Sequence, residues 1–201
     1  MNTLLKSISY IFHPLIMPIT GVVFFFLKSP RYIPEPIVKA KLYALILLTI
    51  VLPLLLFFLL RSRRKVSTIF LPDVKERILP LLLQSIIVLL IIIRILPPSE
   101  LIELHFFFVG ILVSTISCFI LALVKFKISL HMVAAGGVLM FVLAVGIHYS
   151  ININRSLAAA FIITGAIASS RLHLNAHNGL ELIFGFFVGL IPQLILLNYW
   201  L

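Results

Sequence analysis

The sequence predicts an all-α fold, a polytopic bundle of six or seven transmembrane helices, and three observations carry that prediction. Hydrophobic residues make up 62% of the 201-residue chain and mean hydropathy is +1.24. Charged residues are only 11%, against about 25% in soluble domains. Apolar runs near the length needed to cross a bilayer, about 20 residues, recur near 9–27, 41–60, 79–96, 104–124, 131–150, 156–170 and 180–200. The segments between them are short, the longest covering 61–79. Residues 1–201 are therefore expected to form a single integral membrane domain, with any site built at the membrane itself.

The first run is interrupted by His13, Pro14 and Pro18, so a kinked, broken or re-entrant helix is expected there as readily as a straight one. It has no small-residue cleavage site and reads as part of the mature protein. The bulky stretches 45–60 and 81–93 are expected to face lipid. Two small-residue patches predict close helix contact: Ala134, Ala135, Gly136 and Gly137, and then Ala158, Ala159, Ala160, Gly165, Ala166 and Ala168. Both segments should pack inside the bundle. Arg94, Glu100 and Glu103 read as an interfacial charge group, and Tyr149, Tyr199 and Trp200 as boundary aromatics.

Composition also excludes functions. Cys118 is the only cysteine, which removes an intrachain disulfide and a cysteine metal cluster. The net charge of +10 comes from 16 basic residues scattered at span ends, without the aromatic interleaving of a nucleic-acid module. Anionic lipid head groups fit that charge better. His13, His105, His148 and His173 have no partner at a recognisable spacing. His173 stands four before His177, which could be half of a metal pair, but no third ligand with fitting spacing follows. No metal or other cofactor is expected, and nothing bears on oligomeric state.

Three polar clusters remain. If the spans alternate, the 61–79 loop, the 125–130 turn and the 171–180 turn share one side of the membrane, because two spans separate each from the next. In the first cluster Lys75 and Arg77 precede Pro80, at a span start from which both could reach a phosphate; the same charges also read as a topology-setting loop. In the second, Ser129 stands at a helix start that could present N–H groups or a hydroxyl to an anion, and His131 is placed to protonate a departing oxygen. In the third, Ser170 and Arg171 are followed by His177 and Glu181, which lie four apart and would share a helix face. A carboxylate there can hold the imidazole in one tautomer, leaving it as a nucleophile beside an arginine suited to phosphate.

Together these residues resemble the type 2 phosphatidic acid phosphatase family, related to vanadium haloperoxidases and bacterial acid phosphatases, over about 61–200. The family's third motif, Ser-Arg-x5-His-x3-Asp, is matched by Ser170, Arg171 and His177, with Glu181 for the aspartate. Its second, Pro-Ser-Gly-His, is matched by Ser129 and His131, with Ile128 and Leu130 at the proline and glycine positions. Its first, Lys-x6-Arg-Pro, is met by Arg77 alone; Phe70 occupies the lysine position and the next proline is Pro80. The resemblance implies that His177 attacks phosphorus, Glu181 orients it and His131 protonates the leaving alkoxide. Arg171, Arg77, Lys75, Ser129 and Ser170 would hold the phosphate, without a metal. The implied activity is hydrolysis of a phosphomonoester or pyrophosphate on a membrane lipid. A catalytically weak or inactive lipid-binding or lipid-transport protein of the same fold is the alternative.

A bacterial inner-membrane location is expected. On sidedness, Lys6, Arg61, Arg63, Arg64, Lys65, Lys75, Arg77, Lys125, Lys127 and Arg171 stand on the side of the clusters, against Lys28, Arg31, Lys39, Lys41, Arg94 and Arg155. The dense 61–65 run favours a cytoplasmic site. Many bacterial members of the resembled family instead work on the outer face of the inner membrane.

Overall fold

The computed structural model describes residues 2–201, and every regular element among them is a helix. Two short helices, α1 (Asn2–Ile11) and α2 (Met17–Lys28), precede six long ones. These are α3 (Glu35–Ser62), α4 (Val74–Ile95), α5 (Ile102–Leu123), α6 (Leu130–His148), α7 (Asn154–His173) and α8 (Gly179–Tyr199), each long and apolar enough to cross a membrane. The chain is an integral membrane helix bundle.

The first apolar run is broken, for a local reason. Pro14 disfavours helical backbone at His13, and the chain turns there with the Ile16 N–H on the His13 carbonyl (2.8 Å). Pro18 then falls in the first turn of α2, where its missing N–H costs nothing. α1 folds back against the end of α7, while α2 runs to the far end, where Arg31 approaches Glu103 at 3.9 Å. Pro53 perturbs α3 differently: its ring would strike the Thr49 carbonyl, and the helix widens over Leu47–Val51 to avoid it.

α4 begins five residues before the sequence expectation. Asp73 caps it, accepting the Lys75 N–H at 3.0 Å, so Lys75 and Arg77 lie on the helix itself rather than ahead of it. Its bulky stretch is two-sided. Leu82, Ile86, Leu89 and Ile93 are exposed, but Leu81, Ile87, Val88 and Ile91 are buried, correcting the expectation of a uniformly lipid-facing segment. α3 meets that expectation better, with Leu47, Val51, Leu55 and Phe58 all exposed.

The centre of the bundle is α6, buried along most of its length, with α8 as its closest neighbour. A Cβ added at Gly136 would lie 2.3 Å from the Phe186 carbonyl, and one at Gly189 would lie 1.9 Å from the Val133 carbonyl. The expected close contact at 134–137 is therefore real, and glycines of α8 complete it. The same expectation fails for α7. Ala158, Ala159 and Gly165 are exposed, and a Cβ at Gly165 would meet nothing within 4 Å. Small residues permit close approach but do not supply a partner.

Two further expectations are corrected at the far end. Trp200 is buried against His148 and Phe141 instead of lying at the lipid boundary, and the Tyr149 hydroxyl donates to Glu103. Lys41, not Arg94, pairs with Glu100 (2.6 Å), leaving Arg94 exposed. His105 and His148 also have partners: the Leu96 carbonyl (2.7 Å) and Glu103 (3.8 Å).

Candidate active site

The three polar clusters do converge, joined by main-chain carbonyls. Arg77 on α4 donates through Nη1 to the Ile128 carbonyl (2.7 Å) and through Nε to the Leu71 carbonyl (2.8 Å). Lys127 donates through Nζ to the Ala176 carbonyl (2.9 Å), and the Ser129 N–H donates to the Glu181 carbonyl (3.1 Å). Gly185 makes the last bond possible, since a Cβ there would lie 2.7 Å from the Ser129 carbonyl. One result departs from expectation: the Ser129 N–H is already used, so only its hydroxyl is available to a ligand.

His177 and Glu181 meet, though not as two positions on one helix. His177 precedes α8, whose N-cap is Asn178. The Asn178 side-chain oxygen accepts the Glu181 N–H at 2.9 Å, which seats Glu181 in the third helical position. From there Glu181 Oε2 lies 2.5 Å from His177 Nδ1. The carboxylate accepts the Nδ1 proton, so Nε2 carries the lone pair. Burial is the main influence on this ring and pushes its pKa down to about 4, further lowered by Arg77 and Lys127 and partly restored by Glu181. At neutral pH His177 is an uncharged imidazole.

Arg171 and Ser129 each hold a buried polar atom in reserve. Both are buried, and neither Arg171 Nε nor Ser129 Oγ has a hydrogen-bond partner among the described residues. Buried donors in that condition are costly and uncommon. The Arg171 guanidinium stacks over the Phe70 ring at 5.6 Å, which orients it and covers one face. Phe70 also stacks on His131 (6.4 Å between centroids), and His131 meets His13 edge-on at 5.6 Å. His13 was without a partner by spacing alone; here burial, then the Arg171 charge, lowers its pKa to about 4, so it too is neutral.

Two cavities share this cluster. One, of about 360 Å³, carries the cations Lys6, Lys127, Arg77 and Arg171 in its wall and no carboxylate. The other, of about 210 Å³, is apolar and descends between α2, α3, α4, α5 and α6 to Ile87, Phe107 and Gln193. Phe70, Arg77, Arg171 and His177 belong to both walls, whereas His131 faces only the apolar one. The arrangement therefore offers an anion seat with an apolar channel directly beside it.

Lys75 stands apart: it is exposed and lines neither cavity, because two helical positions turn it away from Arg77. Ser170 is fully buried, its hydroxyl donating to the Leu5 carbonyl (2.6 Å) and 2.8 Å from Ser9 Oγ. Ser9, Lys6, His13 and Phe70 were not singled out from the sequence as site residues. Lys127, two residues before Ser129, and Asn178, three residues before a Glu at a helix start, did carry local signals. Among the described residues no three histidine, cysteine or acidic side chains gather in a metal-binding arrangement. No family model, curated protein or solved structure matches this chain.

Proposed function

We propose that this protein is a lipid phosphate phosphatase working through a phosphohistidine, in the manner of the type 2 phosphatidic acid phosphatases its motifs resemble. The observation that carries the reading is the pairing of His177 and Glu181 beside two buried, unpartnered donors, Arg171 Nε and Ser129 Oγ. A tetrahedral phosphate supplies acceptors for both, and the cation-lined cavity attracts it. The apolar cavity on the other side suits a hydrocarbon chain.

In the proposed reaction His177 Nε2 attacks phosphorus, forming an N–P bond as the P–O bond to the lipid breaks. Glu181 stabilises the positive ring that results. His131, an imidazolium once the phosphate dianion lies beside it, delivers one proton to the leaving oxygen, which lies on the apolar side where the lipid alcohol, or the lipid monophosphate left from a pyrophosphate, belongs. Arg171, Ser129 and the remaining N–H donors of Arg77 hold the non-bridging oxygens through the transition state. Water then attacks the phosphohistidine, giving its proton to His131. Inorganic phosphate leaves and both rings are restored.

Phosphate release from short-chain lipid phosphates by protein in detergent, with an acid-labile phosphoenzyme trapped on rapid quenching, tests this directly. A protein that binds the same lipids without release or phosphoenzyme would be a lipid carrier instead, the reading favoured by Arg77 already giving two donors to main-chain carbonyls. We further place the protein in a bacterial inner membrane with the site facing the cytoplasm, on the 61–65 basic run. Labelling of a cysteine placed at Ser67 by an impermeant reagent in intact cells would contradict that orientation.

A further inference from the structure

We infer that Ser9 is an internal stand-in for the phosphoryl group, so that α1 occupies part of the anion seat at rest and an anion must displace it. The inference rests on the phosphatase reading for the ligand it names. Ser9 is only 1% exposed although its neighbours Lys6 and Tyr10 lie open on the same short helix. Its hydroxyl accepts from Arg171 Nη1 at 3.3 Å and donates to Ser170 Oγ at 2.8 Å, and Ser170 passes its own proton to the Leu5 carbonyl. Its main-chain carbonyl stands 3.1 Å from His131 Nε2, a contact in which the imidazole is the donor.

Ser9 thus presents two acceptors, one to the guanidinium that would bind a non-bridging oxygen, the other to the imidazole that would protonate a leaving oxygen. A phosphate ester presents the same pair. The imitation is incomplete, because Arg171 Nε and Ser129 Oγ stay unpartnered with α1 in place. An anion with three peripheral oxygens can satisfy them, and that difference favours exchange of Ser9 for ligand. The means of movement is local. α1 is joined to α2 by the turn at His13 and Pro14, and rests on the end of α7 through the Ser9–Ser170 and Ser170–Leu5 bonds and on Phe70 through the Tyr10 ring edge (5.1 Å).

Two measurements on the full chain in detergent test this. Ser9→Ala removes a competing acceptor, so inorganic phosphate should bind about tenfold more tightly than to the wild type by calorimetry. If Ser9 instead helps to hold the anion, or merely packs, binding weakens or does not change, and the inference is overturned. In Ser9→Cys, a soluble thiol reagent should label position 9 faster when phosphate is present; Cys118 is buried and adds little background. Phosphate binding with no change in labelling overturns the stand-in role and leaves the phosphatase reading untouched. Absence of phosphate binding in both proteins overturns it as well. The coupled response without hydrolysis of any lipid phosphate leaves Ser9 in this role and removes the phosphatase.

Discussion

The two ends of the bundle both bury charge, and they treat it in opposite ways. At the far end the buried carboxylate has opposite charge close by: Glu103 accepts from the Tyr149 hydroxyl and lies 3.9 Å from Arg31 and 3.8 Å from His148, although its Oε2 makes no hydrogen bond among the described residues, and Lys41 pairs with Glu100 at 2.6 Å. These contacts tie α5 to the α2–α3 and α6–α7 connections and close the fold. At the other end Lys6, Arg77, Lys127 and Arg171 line one cavity that has no carboxylate in its wall, while Glu181 is committed to His177. A buried charge left without a partner costs several kcal/mol. On the proposed function, the end that tolerates this imbalance is arranged for an anion, and the end that offsets its carboxylate is arranged for stability.

The largest effect that would break this contrast lies at His177. His177→Ala should lower phosphate release by about four to six orders of magnitude, as loss of a nucleophile does elsewhere, with little change in melting temperature. Glu103→Ala should do the reverse. Removing one member of a buried ionic cluster costs about 3–5 kcal/mol, which a denaturation midpoint would register, while turnover per folded molecule stays at the wild-type value. Loss of activity in Glu103→Ala without loss of stability would mean that the far end also serves the reaction.

Smaller effects sharpen the picture. Since the His177 pKa is depressed from 6.5 to about 4, the ring is neutral through the physiological range. Phosphate release should therefore persist below pH 6.5 and fall with a midpoint near pH 4. Glu181 raises that pKa, so in Glu181→Gln the acid limb should move lower still, even as the rate falls. The stability sign agrees: the folded protein resists protonating this ring, so its contribution is intact above pH 6.5 and is lost as pH falls through about 4. An acid limb at 6.5 would show that the ring is solvated.

Glycines provide the last pair. Gly189→Ala places a Cβ against the Val133 main chain and should destabilise by about 1–3 kcal/mol or more. Gly165→Ala, open on α7, should be neutral or stabilising by up to about 1 kcal/mol. Equal destabilisation by both would imply that α7 has a partner in the membrane, which helix thermal stability at varied detergent-to-protein ratio would reveal.

Much of the site was legible because it depends on short spacings and on parity. His177 and Glu181 are four residues apart, and two spans separate each polar turn from the next, so convergence follows once the helices alternate. What was not legible depends on packing between distant segments. Ser9 lies 161 residues before Ser170, and nothing near it in the chain marks it. The small residues of α7 looked like those of α6, yet only α6 met glycines on another helix. Lys75 and Arg77 both stood within reach of a phosphate, with Arg77 the better motif match, until Asp73 extended α4 and Lys75 turned outward.

The sequence by itself determined a membrane bundle, an interruption of the first apolar run at its prolines and the gathering of the polar clusters on one common side, since hydropathy, proline geometry and parity are properties of the chain alone. Only the tertiary structure decided that Glu181 reaches His177 from a capped helix, that Arg171 and Ser129 keep unpartnered donors, and that Ser9 of α1 meets Arg171 and His131. Those outcomes arise where several helices compete for the same hydrogen-bonding groups, and such a competition is settled in space, not along the chain.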